Sequence, residues 1–243
     1  MILKRVDNPI SRNAVTSLAF HPTRPLIAYG YRDGKVALRD VINQKTKFLN
    51  EDMTDMPYVS GLSFSSNGNQ LGSVTFYGKF LIWDTQTFQL LRGPEVLWSD
   101  YSNAPVDINL PMQKIASPFS YGVRVWDIAP SGTEGPRILP LPVPKRSGEL
   151  LFSQGGESLS ISKDGNRIAV VVENTGNIYL LDELDGHPLP TPIIMNSNPW
   201  LPTLAFDAAG RRLASVGGSD GYSAFILDVN PESWVSIACR IAN

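Results

Sequence analysis

The chain of 243 residues contains a single cysteine, Cys239, which excludes an intramolecular disulfide framework. Charged residues are also scarce, at 18% of the chain against about 25% in an average soluble domain, and this shortage favours sheets that are covered on both faces. Basic runs never exceed two residues, and the net charge is −2. Because nucleic-acid-binding proteins need a basic stripe to neutralise phosphates, the sequence argues against a nucleic-acid partner.

Long apolar runs are absent as well. The first residues, Met1 to Asp7, lack the apolar stretch of a signal peptide. No window of the sequence approaches the roughly 18 consecutive apolar residues of a membrane span. We therefore expect a cytoplasmic protein with no membrane partner.

The sequence has few residues in patterns typical of catalytic, metal-binding or phosphate-binding sites. The two histidines, His21 and His187, have no neighbours at metal-ligand spacing, and no phosphate-binding G-x-x-x-x-G-K-[ST] motif occurs. The stretch from Gly217 to Gly221 matches the G-x-S-x-G pattern of a nucleophile elbow, but that motif needs a helix after it, and here an apolar strand pattern follows. We expect no catalytic residue, no metal and no cofactor, and hence a protein that is not an enzyme.

The sequence does contain an internal repeat. An aspartate follows an apolar or basic residue at the end of five strand-like segments, and the intervals between these aspartates are 44, 43, 55 and 46 residues. The five aspartates are Asp40, Asp84, Asp127, Asp182 and Asp228. A period of about 40–45 residues is typical of four-stranded propeller blades.

Each unit has the same internal order, shown by the second one. An alternating strand pattern (59–64) leads into a polar turn (65–69), a second apolar run follows, and a glycine-containing turn at Tyr77 and Gly78 precedes the strand that ends at Asp84. The pattern predicts an all-β fold over residues 1–230, a β-propeller of about five antiparallel four-stranded blades. The alternative is a β-meander whose spacing is coincidental.

The units resemble WD repeats over about residues 15–228. Trp83-Asp84 and Trp126-Asp127 match the dipeptide that ends such repeats, and Phe20-His21-Pro22 resembles the exit from their first strand. The resemblance implies a non-catalytic scaffold that binds a protein or peptide. No Gly-His pair lies directly before a first strand, so the buried His–Ser–Asp–Trp network of the family is not expected, and blade cohesion should depend mainly on apolar packing.

The period changes after Asp228. Trp234, Ile237, Ala238 and Ile241 share one face of a predicted C-terminal helix over residues 231–243. The sequence of residues 228–243 resembles the segment that closes the propeller in bacterial STAND-type signalling NTPases. This resemblance implies a sensing module of a signalling protein whose NTPase module lies elsewhere.

The number of units raises the question of closure. Propellers of this family usually have about seven blades, whereas five units are visible here. Either the propeller is partial, or five blades close on themselves with a strand from Ile2–Val6 completing the last one. An unclosed propeller would expose two blade faces to further blades of a longer polypeptide or to a second copy.

Aromatic residues concentrate where second strands turn into third strands and where the chain enters a new blade, positions that share one rim of a propeller. Aromatics and arginine dominate binding hot spots, so we predict that this rim binds a protein or peptide. The equally weighted alternative is that these rings pack between blades. For the protein as a whole, the alternative functions are a lactonase-like propeller hydrolase and a decayed remnant without an independent role. The candidate residues are Tyr31, Arg32, Tyr58, Phe76, Tyr77, Trp98, Tyr101, Tyr121, Trp200 and Tyr222.

Overall fold

The computed structural model describes residues 14–49, 58–98, 105–119, 122–141, 158–172, 177–183, 203–216 and 224–230. Every regular element in these ranges is a β-strand. Among the described residues, no helix is long and apolar enough to cross a membrane. The predicted C-terminal helix (231–243) and the candidate strand Ile2–Val6 lie outside the described residues.

The strands form five antiparallel sheets, here called blades 1 to 5. Blade 1 contains β1 (Val15–Phe20), β2 (Leu26–Tyr31), β3 (Val36–Asp40) and β4 (Thr46–Phe48). Blade 2 contains β5 (Val59–Phe64), β6 (Gln70–Thr75), β7 (Lys79–Asp84) and β8 (Leu90–Val96). Blade 3 contains β9 (Asp107–Asn109), β10 (Lys114–Phe119), β11 (Gly122–Ala129) and β12 (Gly132–Pro140).

Blades 4 and 5 each have three strands among the described residues. Blade 4 contains β13 (Leu159–Ile161), β14 (Arg167–Val171) and β15 (Ile178–Asp182). Blade 5 contains β16 (Thr203–Phe206), β17 (Arg212–Val216) and β18 (Ala224–Asp228). In every blade the strands pair in chain order, and the first strand lies against the first strand of the next blade, so the sheets are arranged radially as a propeller. The predicted five-bladed architecture is confirmed.

The core of the molecule lies between the blades. Four apolar clusters are present, and each joins two consecutive blades. Trp83 is fully buried at the junction of blades 1 and 2, and Trp126 is buried at the junction of blades 2 and 3. Both tryptophan rings therefore contribute to the apolar packing between blades.

Polar contacts also cross every junction between blades, and several involve arginine or lysine side chains. Near the first strands a hydrogen bond crosses each junction, with lengths of 2.7, 3.2, 2.7 and 2.7 Å along the chain. The donor and acceptor residues are Thr16 and Val59, Leu110 and Ser63, Ile161 and Asp107, and Leu204 and Ser158. The buried Nε1 of Trp83 has no hydrogen-bond partner among the described residues, which agrees with cohesion through apolar packing.

Two of the repeated aspartates, Asp40 and Asp84, organise the turn between the third and fourth strands of their blades. The Asp84 carboxylate accepts hydrogen bonds from the backbone N–H groups of Gln86 and Thr87 at 2.8 and 2.7 Å, and these bonds lower its pKa. Asp40 makes the same contacts with Ile42 and Asn43. A short side chain that accepts bonds from the next two or three amides nucleates a tight turn, whereas Asp127 lies within β11 and pairs with Lys114.

The proline-rich stretch that begins at Pro136 has the composition of a loop between units, but Gly132–Pro140 forms β12, the outermost strand of blade 3. Proline lacks the N–H group that a central strand requires, yet it is tolerated on an edge strand, where one row of amides faces outward.

Candidate functional site

The predicted rim is formed where blades 1 and 2 meet. The N–H of Arg32 donates to the carbonyl of Ala14 at 3.0 Å, the N–H of Tyr58 to the carbonyl of Arg32 at 2.9 Å, and the N–H of Phe76 to the carbonyl of Tyr58 at 2.8 Å. These bonds join the β2–β3 turn, the chain entering blade 2 and the β6–β7 turn. The rim residues of two blades are therefore held by backbone rather than by flexible side chains.

Three aromatic rings surround this backbone ladder. The Tyr58 and Phe76 ring centroids are 5.3 Å apart, and those of Phe76 and Tyr77 are 5.6 Å apart with nearly perpendicular planes. Tyr58 is 39% exposed, Phe76 and Tyr77 are half-buried, and the neighbouring Arg32 is exposed. We name these four residues the Tyr58 cluster.

The backbone of Tyr58 is strained. Its φ of 52° lies in the left-handed region, which is unfavourable for residues other than glycine. The hydrogen bonds to Arg32 and Phe76 hold it there. Strained residues that the surrounding structure fixes in place occur often at ligand-binding positions, so this geometry singles out Tyr58 within the rim.

Tyr31 and Trp98 are placed differently from the sequence-based prediction. Tyr31 is 2% exposed, its ring lies 6.0 Å from that of Phe48, and burial raises the pKa of its hydroxyl. Trp98 is 6% exposed and stacks on Trp126, with ring centroids 5.0 Å apart. Both rings are core residues: Tyr31 packs on Phe48 within blade 1, and Trp98 belongs to the apolar cluster between blades 2 and 3.

Gly78 shows how closely Trp98 is packed. A Cβ atom at this position would come within 2.5 Å of the indole ring, and the residue has a φ of 71°, so only glycine fits the turn.

The remaining rim candidates lie outside the described residues and stay predictions: Tyr101, Tyr121, Trp200 and Tyr222.

Sequence reasoning missed a groove at the opposite rim. A cavity of about 630 Å³ lies between blades 1 and 2, where Lys45 and Lys47 on one side face Gln86 and Phe88 on the other. Arg24 lines it as well, and its guanidinium donates to Thr85 Oγ1 at 2.8 Å. The lining residues come from turns and an outer strand of two different blades, so no contiguous sequence pattern could have indicated the groove.

A second, smaller cavity of about 260 Å³ lies near the ends of the first strands of blades 2 to 5. Asp107 lines it and accepts hydrogen bonds from the N–H groups of Ile108 and Ile161 at 2.9 and 2.7 Å. Burial raises the pKa of its carboxyl to about 6, against the effect of these two bonds. The carboxyl group contributes to the junction between blades 3 and 4.

Residues considered for chemistry in the sequence have structural positions or lie outside the described ranges. His21 is a turn residue after β1, whose Nδ1 accepts bonds from two backbone amides. His187 and the stretch Gly217 to Gly221 lie outside the described residues. Within the described ranges, no group of three or more His, Cys, Asp or Glu side chains is arranged to hold a metal ion.

Comparisons with known proteins agree with this geometry. The family model described as WD domain, G-beta repeat matches residues 8–40, which include all of β1, β2 and β3. The β-propeller domain of Cps50 (Swd1) from Myceliophteria thermophila superposes with a TM-score of 0.64 at 18% sequence identity. The fold is a β-propeller, and the WD-repeat match lies in its first blade.

The extent of this similarity differs for the two chains. The superposition covers 88% of this chain but 65% of the Cps50 (Swd1) domain. The chain thus spans about 65% of the length of the propeller that it matches. No curated protein matches the chain.

Proposed function

We propose that this WD-repeat chain is a non-catalytic interaction scaffold that binds a protein or peptide through the Tyr58 cluster. The observation that carries the proposal is the strained, partly exposed Tyr58 held between two blades beside Phe76, Tyr77 and Arg32. Rigid aromatic rings bury a large apolar area while losing little conformational entropy, and arginine adds a directional charge. Such a surface suits a peptide with an apolar anchor.

The wider setting of the proposal is a bacterial signalling protein in the cytoplasm. It is supported by the resemblance of residues 228–243 to the segment that closes the propeller in STAND-type NTPases. In that setting the chain is the sensing module, and the NTPase module belongs to another part of the same protein. Mass spectrometry of the protein isolated from its native source tests this setting, because this sequence should occur within a longer polypeptide that also carries an NTPase module.

The rim proposal is tested with a peptide selected from a displayed random library on the wild-type chain. Tyr58→Ala and Tyr77→Ala should each weaken binding of that peptide by ~10-fold or more, since truncation of a hot-spot residue costs about 2 kcal/mol or more. Fluorescence anisotropy of the labelled peptide measures the Kd. Thermal melting of each variant checks that the fold is retained.

Phe88→Ala is the matched control. Phe88 is also 39% exposed and has a positive φ of 62°, but it lies in the β7–β8 turn at the opposite rim. This variant should leave the Kd unchanged. Equal weakening by Phe88→Ala, or unchanged binding by both tyrosine variants, would contradict the proposal, and turnover in an esterase or lactonase screen would contradict the non-catalytic assignment.

A further inference from the structure

The groove between blades 1 and 2, at the rim opposite the Tyr58 cluster, has an excess of positive charge. Among the described residues that line it, Arg24, Lys45 and Lys47 are cationic and Asp40 is the one carboxylate. The chain as a whole has a net charge of −2. The groove is therefore a basic site on a weakly acidic protein, and its field attracts negatively charged groups.

Two of these four charged groups are engaged within the fold. The Nε of Arg24 donates to His21 Nε2 at 2.9 Å, and its guanidinium also donates to Thr85 Oγ1 at 2.8 Å. The Asp40 carboxylate accepts from the side-chain amide of Asn43 at 2.7 Å, besides the two backbone amides of its own turn. Arg24 and Asp40 thus join the two blades and shape the turn, and the lysines remain for a ligand.

Lys45 and Lys47 are exposed, and neither forms an ion pair with a described residue. The turn does not require a lysine. The carbonyl of Lys45 accepts from the N–H of Asp40 at 2.9 Å, and in blade 2 the carbonyl of Gln89 accepts from the N–H of Asp84 at the same distance. The positive charge is therefore a property of this groove and not of the blade repeat.

The groove also has an apolar lining. Leu26 and Leu38 line it from blade 1, and Phe88 lines it from blade 2 with 39% of its surface exposed. Phe88 has a φ of 62°, and Gln44 has a φ of 57° at the same place in the turn of blade 1, so the turn does not require an aromatic ring. The volume of about 630 Å³ lies within the range of about 300–1,000 Å³ that is typical of ligand sites.

We propose that this groove binds an acidic peptide segment of a partner protein, with an apolar side chain against Phe88 and carboxylates beside Lys45 and Lys47. Charge complementarity favours an acidic partner, and the apolar lining favours a peptide over a simple anion, which has no apolar part to bury. Two lysines do not form the basic stripe that a nucleic acid requires. Because salt screens exposed charges, the affinity decreases as the salt concentration rises.

The site lies on the rim opposite the Tyr58 cluster, so this proposal does not depend on binding there. The probe is a peptide selected on the wild-type chain from a displayed library, in which a random central residue is flanked by positions that are glutamate, glutamine or lysine. The selected peptides should carry glutamate at the flanking positions and an apolar residue at the centre. Fluorescence anisotropy of the best peptide, labelled, measures its Kd.

Lys45→Glu and Lys47→Glu should each weaken binding of this peptide by ~5-fold or more, because each turns an attraction into a repulsion. Thermal melting checks that the variants fold, and Lys45→Gln and Lys47→Gln replace them if they do not. Lys163→Glu is the matched control, since Lys163 is exposed in the turn between β13 and β14 of blade 4 and its substitution changes the net charge equally. It should leave the Kd unchanged.

Tyr58→Ala separates the two sites. Weaker binding of the glutamate peptide to Tyr58→Ala, with unchanged binding to both lysine variants, would overturn the groove proposal and leave the rim proposal standing. Selected peptides without a preference for glutamate, or with a polar centre, would overturn the groove proposal, as would equal weakening by Lys163→Glu. Selection of no peptide would overturn it too, and would leave the chain's own acidic residues Glu51, Asp52 and Asp55 as the alternative occupant.

Discussion

At the scale of single residues, His21 illustrates how a turn residue becomes part of a blade junction. Its Nδ1 accepts hydrogen bonds from the N–H groups of Thr23 and Arg24 at 3.1 and 2.9 Å, and its ring lies edge-on to Phe64 of blade 2 at 5.0 Å. Burial, with a smaller effect from the Arg24 charge, lowers the pKa of His21. The folded state thus favours the neutral imidazole.

This shift predicts a loss of stability on acidification. A histidine whose pKa is lowered by folding contributes stability above its unfolded pKa of about 6.5, and the contribution is lost as the pH falls through the folded value. Urea midpoints of the wild-type chain should therefore decrease between pH 7 and pH 5 by more than those of His21→Asn, which can still accept from the turn amides. If the urea midpoints of the two proteins decreased by the same amount between pH 7 and pH 5, the prediction for His21 would be wrong.

The individual rim residues show where sequence reasoning stops at this scale. The turn signals located Tyr31, Tyr58, Phe76, Tyr77 and Trp98 near one rim, but whether a ring points outward or between blades depends on the neighbouring blade. Tyr31 and Trp98 are buried by contacts with Phe48 and Trp126, which lie 17 and 28 residues further along the chain. No local pattern encodes such contacts.

At the scale of elements, the junction of blades 3 and 4 contains a buried ion-pair network. Glu183 follows β15, is 2% exposed and accepts from Lys114 Nζ of β10 at 2.9 Å and from the guanidinium of Arg137 of β12. The Nζ of Lys114 also forms an ion pair with the Asp127 carboxylate, with a distance of 2.8 Å between Nζ and Oδ1. The carboxylate thus links one edge of blade 4 to two strands of blade 3.

Glu183→Ala should destabilise the chain by about 1–3 kcal/mol, because Lys114 is left with one partner in a mostly buried position. The estimate lies below the loss expected for a fully buried pair, since Arg137 is about two-fifths exposed and water screens its charge. Urea unfolding followed by tryptophan fluorescence measures the change. Glu134→Ala, at an exposed position of β12, is the control and should cost little; an equal loss in both variants would contradict a special role for Glu183.

The strands were predictable to different degrees. First, second and third strands follow from period-2 alternation and from the turns that Asp40, Asp84 and glycine specify. Outer strands were harder, since β12 contains two prolines and packs on one side only, so its composition is that of a loop. The Asp and Gly turn chemistry is local and can be read from the sequence, whereas edge-strand pairing depends on the neighbouring strand.

At the scale of the whole molecule, the repeat period was enough to predict the architecture. Sheets with the spacing of this chain can cover their apolar flanks only by lying side by side, and the four inter-blade clusters show that they do. Whether the row closes was not predictable, because closure depends on the angle between blades and on which flanks find a partner.

The account depends most on the radial packing of similar antiparallel sheets. A crystal structure of the complete chain measures this arrangement directly. We predict five blades in chain order, with Trp83 buried between blades 1 and 2 and Trp126 between blades 2 and 3. A two-layer sandwich, or parallel strands alternating with helices, would contradict the account.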